Sequence, residues 1–170
     1  MAKKSSGGTP ATVALTRAGV AFTLHDYAHD PRAQSYGLEA AEALGLDPAC
    51  VFKTLLATVH PSTGSGQRAR LAVGIVPVSA QLDLKALARA LGGSRAEMAD
   101  KTAAERATGY VVGGISPLGQ KRAHPTVVDA TALDHAVVYV SAGRRGLDLG
   151  LSPADLVSVT SATVAAISRW

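Results

Sequence analysis

Val51-Phe52-Lys53-Thr54-Leu55-Leu56-Ala57-Thr58-Val59 is the longest strand-like apolar run in the chain, and a lysine interrupts it. Its β-branched and aromatic residues predict a strand. Side chains alternate faces along a strand, so Lys53 shares one with Val51, Leu55 and Ala57. Such a face turns toward a core or a pocket. An unpaired ammonium buried there is costly, so a partner or a ligand is expected for it. A second reading has Lys53 guarding a sheet edge against aggregation.

The elements on either side set the fold class. Thr9-Pro10 predicts a helix start, with the helix running to about Ala18 and closed by Gly19. Val20 to Tyr27 alternates as a strand. Leu38 to Leu44 has helical composition and Gly45 ends it, and Asp47-Pro48 starts a short turn into the Lys53 strand. His60 to Arg70 reads as a hairpin loop and Leu71 to Val78 as the returning strand. Asp83 caps a helix stopped by Gly92-Gly93, and Asp100 caps another through Arg106. Short strands are expected around Tyr110-Val111-Val112, Thr126-Val127-Val128 and Ala136 to Val140. A hairpin turn over Ser141 to Gly146, a capped turn at Ser152-Pro153 and a last strand near Val157-Ser158-Val159 complete the pattern. Several strand pairs are joined by short turns, which makes them antiparallel. The expected architecture is α/β of the α+β type. Its sheet is mixed, mostly antiparallel and curled, barrel-like, with peripheral helices. A single domain over 9–170 is expected behind a flexible leader at 1–8.

With 170 residues, 47% hydrophobic and 18% charged, the chain has a globular balance and enough length for a full core. No window reaches the roughly 18 apolar residues of a membrane span. The lysines at Lys3 and Lys4 precede no apolar segment, so a signal peptide is not expected. A single cysteine, Cys50, fits a reducing cytoplasm. The net charge of +4 permits an RNA or phosphate partner without requiring one. Two Phe, four Tyr and one Trp are too few for a base-stacking platform. Nucleic acid would then be gripped by its backbone or by one terminal nucleotide. His25 and His29 are four apart, a metal spacing only on a helix, and they sit at a strand end, so no zinc site is expected.

Gly113-Gly114-Ile115-Ser116-Pro117-Leu118-Gly119-Gln120-Lys121 is a loop of a different kind. Glycines let backbone amides approach a ligand closely, and Pro117 stiffens the turn. Neither the phosphate-loop nor the dinucleotide-binding pattern fits it. Three stretches occur in order: Val51 to Leu55, Gly113 to Pro117, and Ser141-Ala142-Gly143-Arg144-Arg145-Gly146-Leu147-Asp148. This set resembles the YbaK family of free-standing aminoacyl-tRNA deacylases, relatives of the editing domain of bacterial prolyl-tRNA synthetases. His29-Asp30-Pro31, Tyr36 to Ala41 and Gly109-Tyr110 add to the likeness, which runs from about Thr9 to the C-terminus.

The resemblance implies a cytoplasmic, cofactor-free enzyme that hydrolyses mischarged Cys-tRNA(Pro), with Cys-tRNA(Cys) as a further substrate. It reads the acceptor end of the charged tRNA, with prolyl-tRNA synthetase as a partner. Lys53 matches the family's central active-site lysine. Gly113, Gly114, Ile115, Ser116 and Pro117 match its substrate-cradling loop. Thr54, Tyr27, Ser141 and Asp148 match positions lining the same pocket. Lys121, Arg122, Arg144 and Arg145 are weaker candidates for contacts with tRNA phosphates. The family also implies that the substrate's own thiol attacks its ester carbonyl. Bland readings stand beside these. Asp148 can pair with Arg144 or Arg145, Ser141 can close a turn, and Tyr27 can fill core. Two other functions fit the same residues: clearing alanine from the proline tRNA with a bound water, and non-catalytic binding of tRNA or a synthetase. A pyridoxal enzyme using Lys53 as a Schiff base lacks paired anchors for its cofactor.

Overall fold

The computed structural model describes residues 8–62, 66 and 68–170. The leader at 1–7 and the middle of the loop after His60 lie outside the described residues.

Helix α1 (Pro10–Ala18) starts where the sequence predicts. Thr9 and Thr12 cap each other reciprocally and Gly19 closes the helix at φ 70. The Thr9 hydroxyl also donates to the Ala142 carbonyl at 2.5 Å, which ties the helix to the strand that carries Ala142. Strand β1 (Thr23–Asp26) is shorter than the Val20 to Tyr27 expectation. Helix α2 (Tyr36–Leu44) is capped by Ser35 and ended by Gly45, and a single 3₁₀ turn at Pro48–Cys50 leads into β2 (Phe52–His60). The remaining elements are β3 (Arg70–Pro77), β4 (Gln81–Leu82), α3 (Leu84–Ala90), β5 (Arg95–Met98), α4 (Lys101–Thr108), β6 (Thr126–Asp129), β7 (Val138–Arg144), β8 (Leu147–Leu151), α5 (Pro153–Thr160), β9 (Thr163–Ala165) and β10 (Ser168–Arg169).

The described strands form three sheets: β5-β2-β3-β6-β9, β1-β8-β7 and the small pair β10-β4. Only β3–β6 and β6–β9 run parallel. The mixed, mostly antiparallel expectation therefore holds. The barrel-like closure does not, because no described sheet closes on itself. The large sheet meets the three-stranded one through a parallel bridge between Val51 and Tyr139.

Strand β2 buries both faces. Phe52 and Leu56 enter the main core with Leu15, Ile75, Leu118 and Leu149. Ala57 and Leu55 pack on the other face against Leu87, Val127 and Ile167. Lys53 stands on this second face, as the alternation predicts. Along its opposite edge β2 pairs with β5 only from Ala57 onward. Its stretch around Lys53 therefore has β3 on one side and a cavity on the other.

Three local expectations are corrected. Tyr110-Val111-Val112 is not a strand. Its backbone groups are taken outside any sheet: Val112 N–H donates to the Glu105 carboxylate, Gly114 N–H to Val111 O, and the Val112 carbonyl accepts from Arg145. Val157-Ser158-Val159 lies in α5, where the Ser152 cap, Pro153 and buried Leu156 override β-branched preference; the strand follows at Thr163. Strand β7 continues to Arg144 through a bulge after Ser141, so the turn itself is only Arg145 and Gly146.

Candidate active site

A cavity of about 440 Å³ opens beside the free edge of β2. Lys53 and Thr54 of β2, Tyr27 after β1, Gly113 and Ile115 of the glycine loop, Ser141 of β7 and Asp148 of β8 all line it. Seven residues singled out in sequence thus meet in one place. Gly114, Ser116 and Pro117 do not line it. A Cβ on Gly114 would fall 2.8–2.9 Å from the Arg144 and Arg145 backbone, so this residue packs the loop against the β7–β8 turn. Ser116 is fully buried and acts as an internal brace: its Oγ accepts from Leu118 N–H and its carbonyl from Gln120 Nε2. Pro117 borders a separate depression of about 200 Å³ with Gln120, Arg122 and His124.

The loop presents a small set of free donors. Val112 and Gly114 amides are bonded to Glu105 and Val111, and Leu118 N–H to Ser116. The amides of Gly113 and Ile115 have no partner among the described residues, and both residues line the cavity. Gly113 adopts φ +92, and a Cβ there would meet the Tyr36 ring at 2.8 Å, so only glycine fits.

Lys53 is partly buried, and burial pushes its ammonium below the ordinary lysine range. It makes no ion pair or hydrogen bond among the described residues. Asp148 is 6% exposed and equally unpartnered; desolvation raises its carboxyl to about 7. The pairing with Arg144 or Arg145 is not formed. Tyr27 is pushed up to about 12, first by burial and then by the nearby Asp148 charge, so its hydroxyl is a permanent donor at neutral pH. Its backbone N–H donates to Gly146 O at 2.9 Å, which fixes it against the β7–β8 turn. Ser141 has both proposed roles: it lines the cavity, and its Oγ accepts from Gly143 N–H within the bulge. Thr54 Oγ1 is buried without a hydrogen-bond partner.

The basic residues separate into two kinds. Lys121, Arg122 and Arg144 are exposed. Arg145 is committed internally, donating twice to Val112 O and lying over the Tyr36 ring. His25 bonds Thr23 and His29 bonds Glu39. Cys50 Sγ contacts the Asp47 carbonyl and does not line the cavity. Sequence reasoning missed several lining residues, among them Gln34, Ser35, Tyr36, Met98, Lys101 and Val112. Tyr36 stood within a stretch carrying the family likeness; Met98 and Lys101 flank the Asp100 cap and carried no such signal.

In sequence and in fold this chain is similar to known proteins. Residues 30–159 match the model of the aminoacyl-tRNA editing domain. A protein of Enterococcus faecalis, EbsC, which carries the provisional name of a Cys-tRNA(Pro)/Cys-tRNA(Cys) deacylase, is 38% identical over 128 residues. That match spans 75% of this chain and 74% of the relative. A crystal structure of a hypothetical protein superposes with a TM-score of 0.79 at 25% identity, covering 95% of this chain and all of that one. A structure described provisionally as a trans-editing enzyme for prolyl-tRNA synthetase gives a TM-score of 0.78 at 22% identity, covering 100% of this chain and 99% of that one, a likeness of fold. The chain belongs to the aminoacyl-tRNA editing domain family.

Proposed function

We propose that this protein is a trans-editing deacylase that clears mischarged Cys-tRNA(Pro), and also Cys-tRNA(Cys), with the substrate's thiol assisting ester cleavage. Family membership and the name of the 38% identical relative support the substrate class. The observation that carries the reading is the unpaired Lys53 ammonium sharing one cavity with the unpaired amides of Gly113 and Ile115.

Cysteine and proline are close in volume, and a pocket rejects such an intruder by only about 1–3 kcal/mol. A chemical test discriminates better. The cysteinyl sulfur attacks its own ester carbonyl, an S–C bond forms, the ester C–O bond breaks, and the thiol proton ends on the ribose oxygen. Water then opens the small cyclic thioester. A free thiol has a pKa of about 8.5, so little thiolate exists at neutral pH, and a nearby cation raises that fraction. Lys53 supplies the cation and grips the terminal ribose or phosphate. It acts as a positioner and electrostatic aid and not as a general base, which would have to be neutral. The Gly113 and Ile115 amides receive the developing oxyanion. Asp148, ionised above pH 7, takes the α-ammonium of the aminoacyl group. Positioning of thiol against carbonyl is worth effective molarities of about 10⁵–10⁸ M. Lys121, Arg122 and Arg144 contact tRNA phosphates outside the cavity, and prolyl-tRNA synthetase supplies the choice of tRNA.

The test is a panel of Ala-, Ser-, Pro- and Cys-charged proline tRNA, with and without the synthetase. Cys-tRNA is expected to be cleaved and Ser-tRNA spared, because a hydroxyl is a far weaker nucleophile than a thiolate. Comparable Ser and Cys rates would refute thiol participation. Preference for Ala-tRNA would favour a water-based deacylase, and no cleavage of any member would leave a binding module.

A further inference from the structure

Val112 leads into the glycine loop, and side chains from two other elements hold both of its backbone polar groups. Glu105 of α4 accepts from its N–H at 2.8 Å. Arg145, in the β7–β8 turn, donates to its carbonyl from Nε at 2.9 Å and Nη2 at 2.7 Å. The same guanidinium lies 5.0 Å from the centroid of the Tyr36 ring, at the start of α2. Two elements therefore hold one residue, and α2 backs the arginine that does so. The Val112 carbonyl and the Gly113 N–H belong to a single peptide unit. That unit is planar and trans, so the two groups point in opposite directions. An arginine that fixes the carbonyl also fixes the direction of the amide. Its charge draws electron density toward the carbonyl and makes the amide a stronger donor. Little slack remains: a Cβ on Gly113 would sit 2.9 Å from Arg145 Nε and 2.8 Å from the Tyr36 ring.

We infer that Arg145 is a positioning residue for the deacylation reaction and not a tRNA phosphate contact. Its fork on the Val112 carbonyl aims and polarises the Gly113 amide at the oxyanion, and Glu105 holds the same residue from the other side. This rests on the proposed deacylase reading. Lysine is no substitute, because an ammonium is a point donor and cannot fork onto the carbonyl while stacking on Tyr36.

The experiment compares full-length wild type with R145M, R145K and the charge control R17Q, in which an exposed arginine of α1 is neutralised. Cys-tRNA(Pro) turnover is measured across a salt series, and hydrogen exchange is followed at the Val112 and Gly114 amides. Loss of one oxyanion donor typically costs about 10²–10³ in kcat, so misaiming it in R145M is expected to cost at least about tenfold. KM should stay within about twofold and the salt slope should match wild type. R145K should fall with R145M, and R17Q with wild type. Both amides should lose protection in R145M. A raised KM with a salt slope reduced by about one, at constant kcat, would mean that Arg145 neutralises a phosphate and overturn the inference. Unchanged protection would overturn the clamp by itself, whether or not the protein cleaves tRNA. A wild type inactive on every charged tRNA, with protection still lost in R145M, would sink the deacylase reading and the catalytic role together while leaving the clamp as a structural fact.

Discussion

Replacing Asp148 by asparagine should make the protein more stable and less active, and the stability gain should depend on pH. In the folded chain the Asp148 carboxyl is raised from 3.8 to about 7 by desolvation. In the unfolded chain it ionises normally. Between those values folding takes up a proton, so stability falls as pH rises from about 4 to about 7 and is flat above. At about 1.4 kcal/mol per pKa step, the full penalty is about 4 kcal/mol at pH 8 and small at pH 4. Asparagine has the same shape and no charge to desolvate. For a chain of this length each kcal/mol moves Tm by about 2–4 °C, so D148N should melt roughly 8–16 °C higher at pH 8, less the smaller cost of burying its amide. At pH 4 the two proteins should melt together. Urea titrations of both proteins at pH 4, 6 and 8 measure the difference directly. A stability difference that is the same at all three values would show that the carboxyl is not desolvated as the structure has it. Wild-type kcat/KM should rise as pH passes through about 7, when the anion that receives the α-ammonium forms, and D148N should lack that rise.

Lys53→Met removes a cation that burial disfavours and that has no partner, so the variant should fold at least as stably as wild type while deacylation is lost; calorimetry with a Cys-tRNA assay checks it, and full activity in a folded variant would refute the role. Gly114→Ala puts a methyl 2.8–2.9 Å from backbone atoms of Arg144 and Arg145 that have little room to yield, with an expected loss of about 1–3 kcal/mol; an unchanged denaturation midpoint would contradict the packing described. Neutralising Arg122 or Arg144, both exposed, should raise KM with kcat unchanged and flatten the salt dependence of KM by about one for each phosphate left without its arginine, and an unaltered slope would remove that residue from the tRNA path.

The caps and apolar runs were legible because they act locally. Thr9, Asp83, Asp100 and Ser152 each cap the helix that the sequence assigns to them. The edge strands were not. Arg95–Met98 is a short polar segment whose pairing with β2 comes from the neighbouring strand and not from its own composition. Tyr110-Val111-Val112 has strand-like residues, yet Glu105 claims the Val112 amide and a turn claims the Val111 carbonyl, and no local pattern announces a carboxylate seven residues upstream. At the site, Lys53, Tyr27, Gly113, Ile115, Ser141 and Asp148 were found through a likeness of ordered motifs. The likeness treats the loop as one unit. Only coordinates separate Gly113 and Ile115, which face the cavity, from Gly114 and Ser116, which brace the loop from behind. Arg145 shows the same limit: charge suggested phosphate, and geometry commits it to a carbonyl.

Elsewhere the fold satisfies the carboxylate that it buries for structure. Asp129, 1% exposed, accepts from Ile167 N–H, Thr131 N–H and the Thr131 hydroxyl. The cavity departs from that rule with a cation, a carboxyl, two amides and the Thr54 hydroxyl all unpartnered among the described residues. Mutual neutralisation of Lys53 and Asp148 would be the cheap solution, and no such ion pair forms. A chain that keeps such a set apart and desolvated sacrifices stability, and the groups it keeps open have complements in one molecule. An aminoacyl ester on a tRNA end brings an ammonium for Asp148, a carbonyl oxygen for the amides and a phosphodiester for Lys53. Binding would satisfy the set at once, in a medium where each charge interaction is stronger than in water. Under the proposed function these unmet groups would be a source of selectivity: a free amino acid would bring no phosphate for Lys53 and an uncharged tRNA no ammonium for Asp148, and each would leave a desolvated charge unmet.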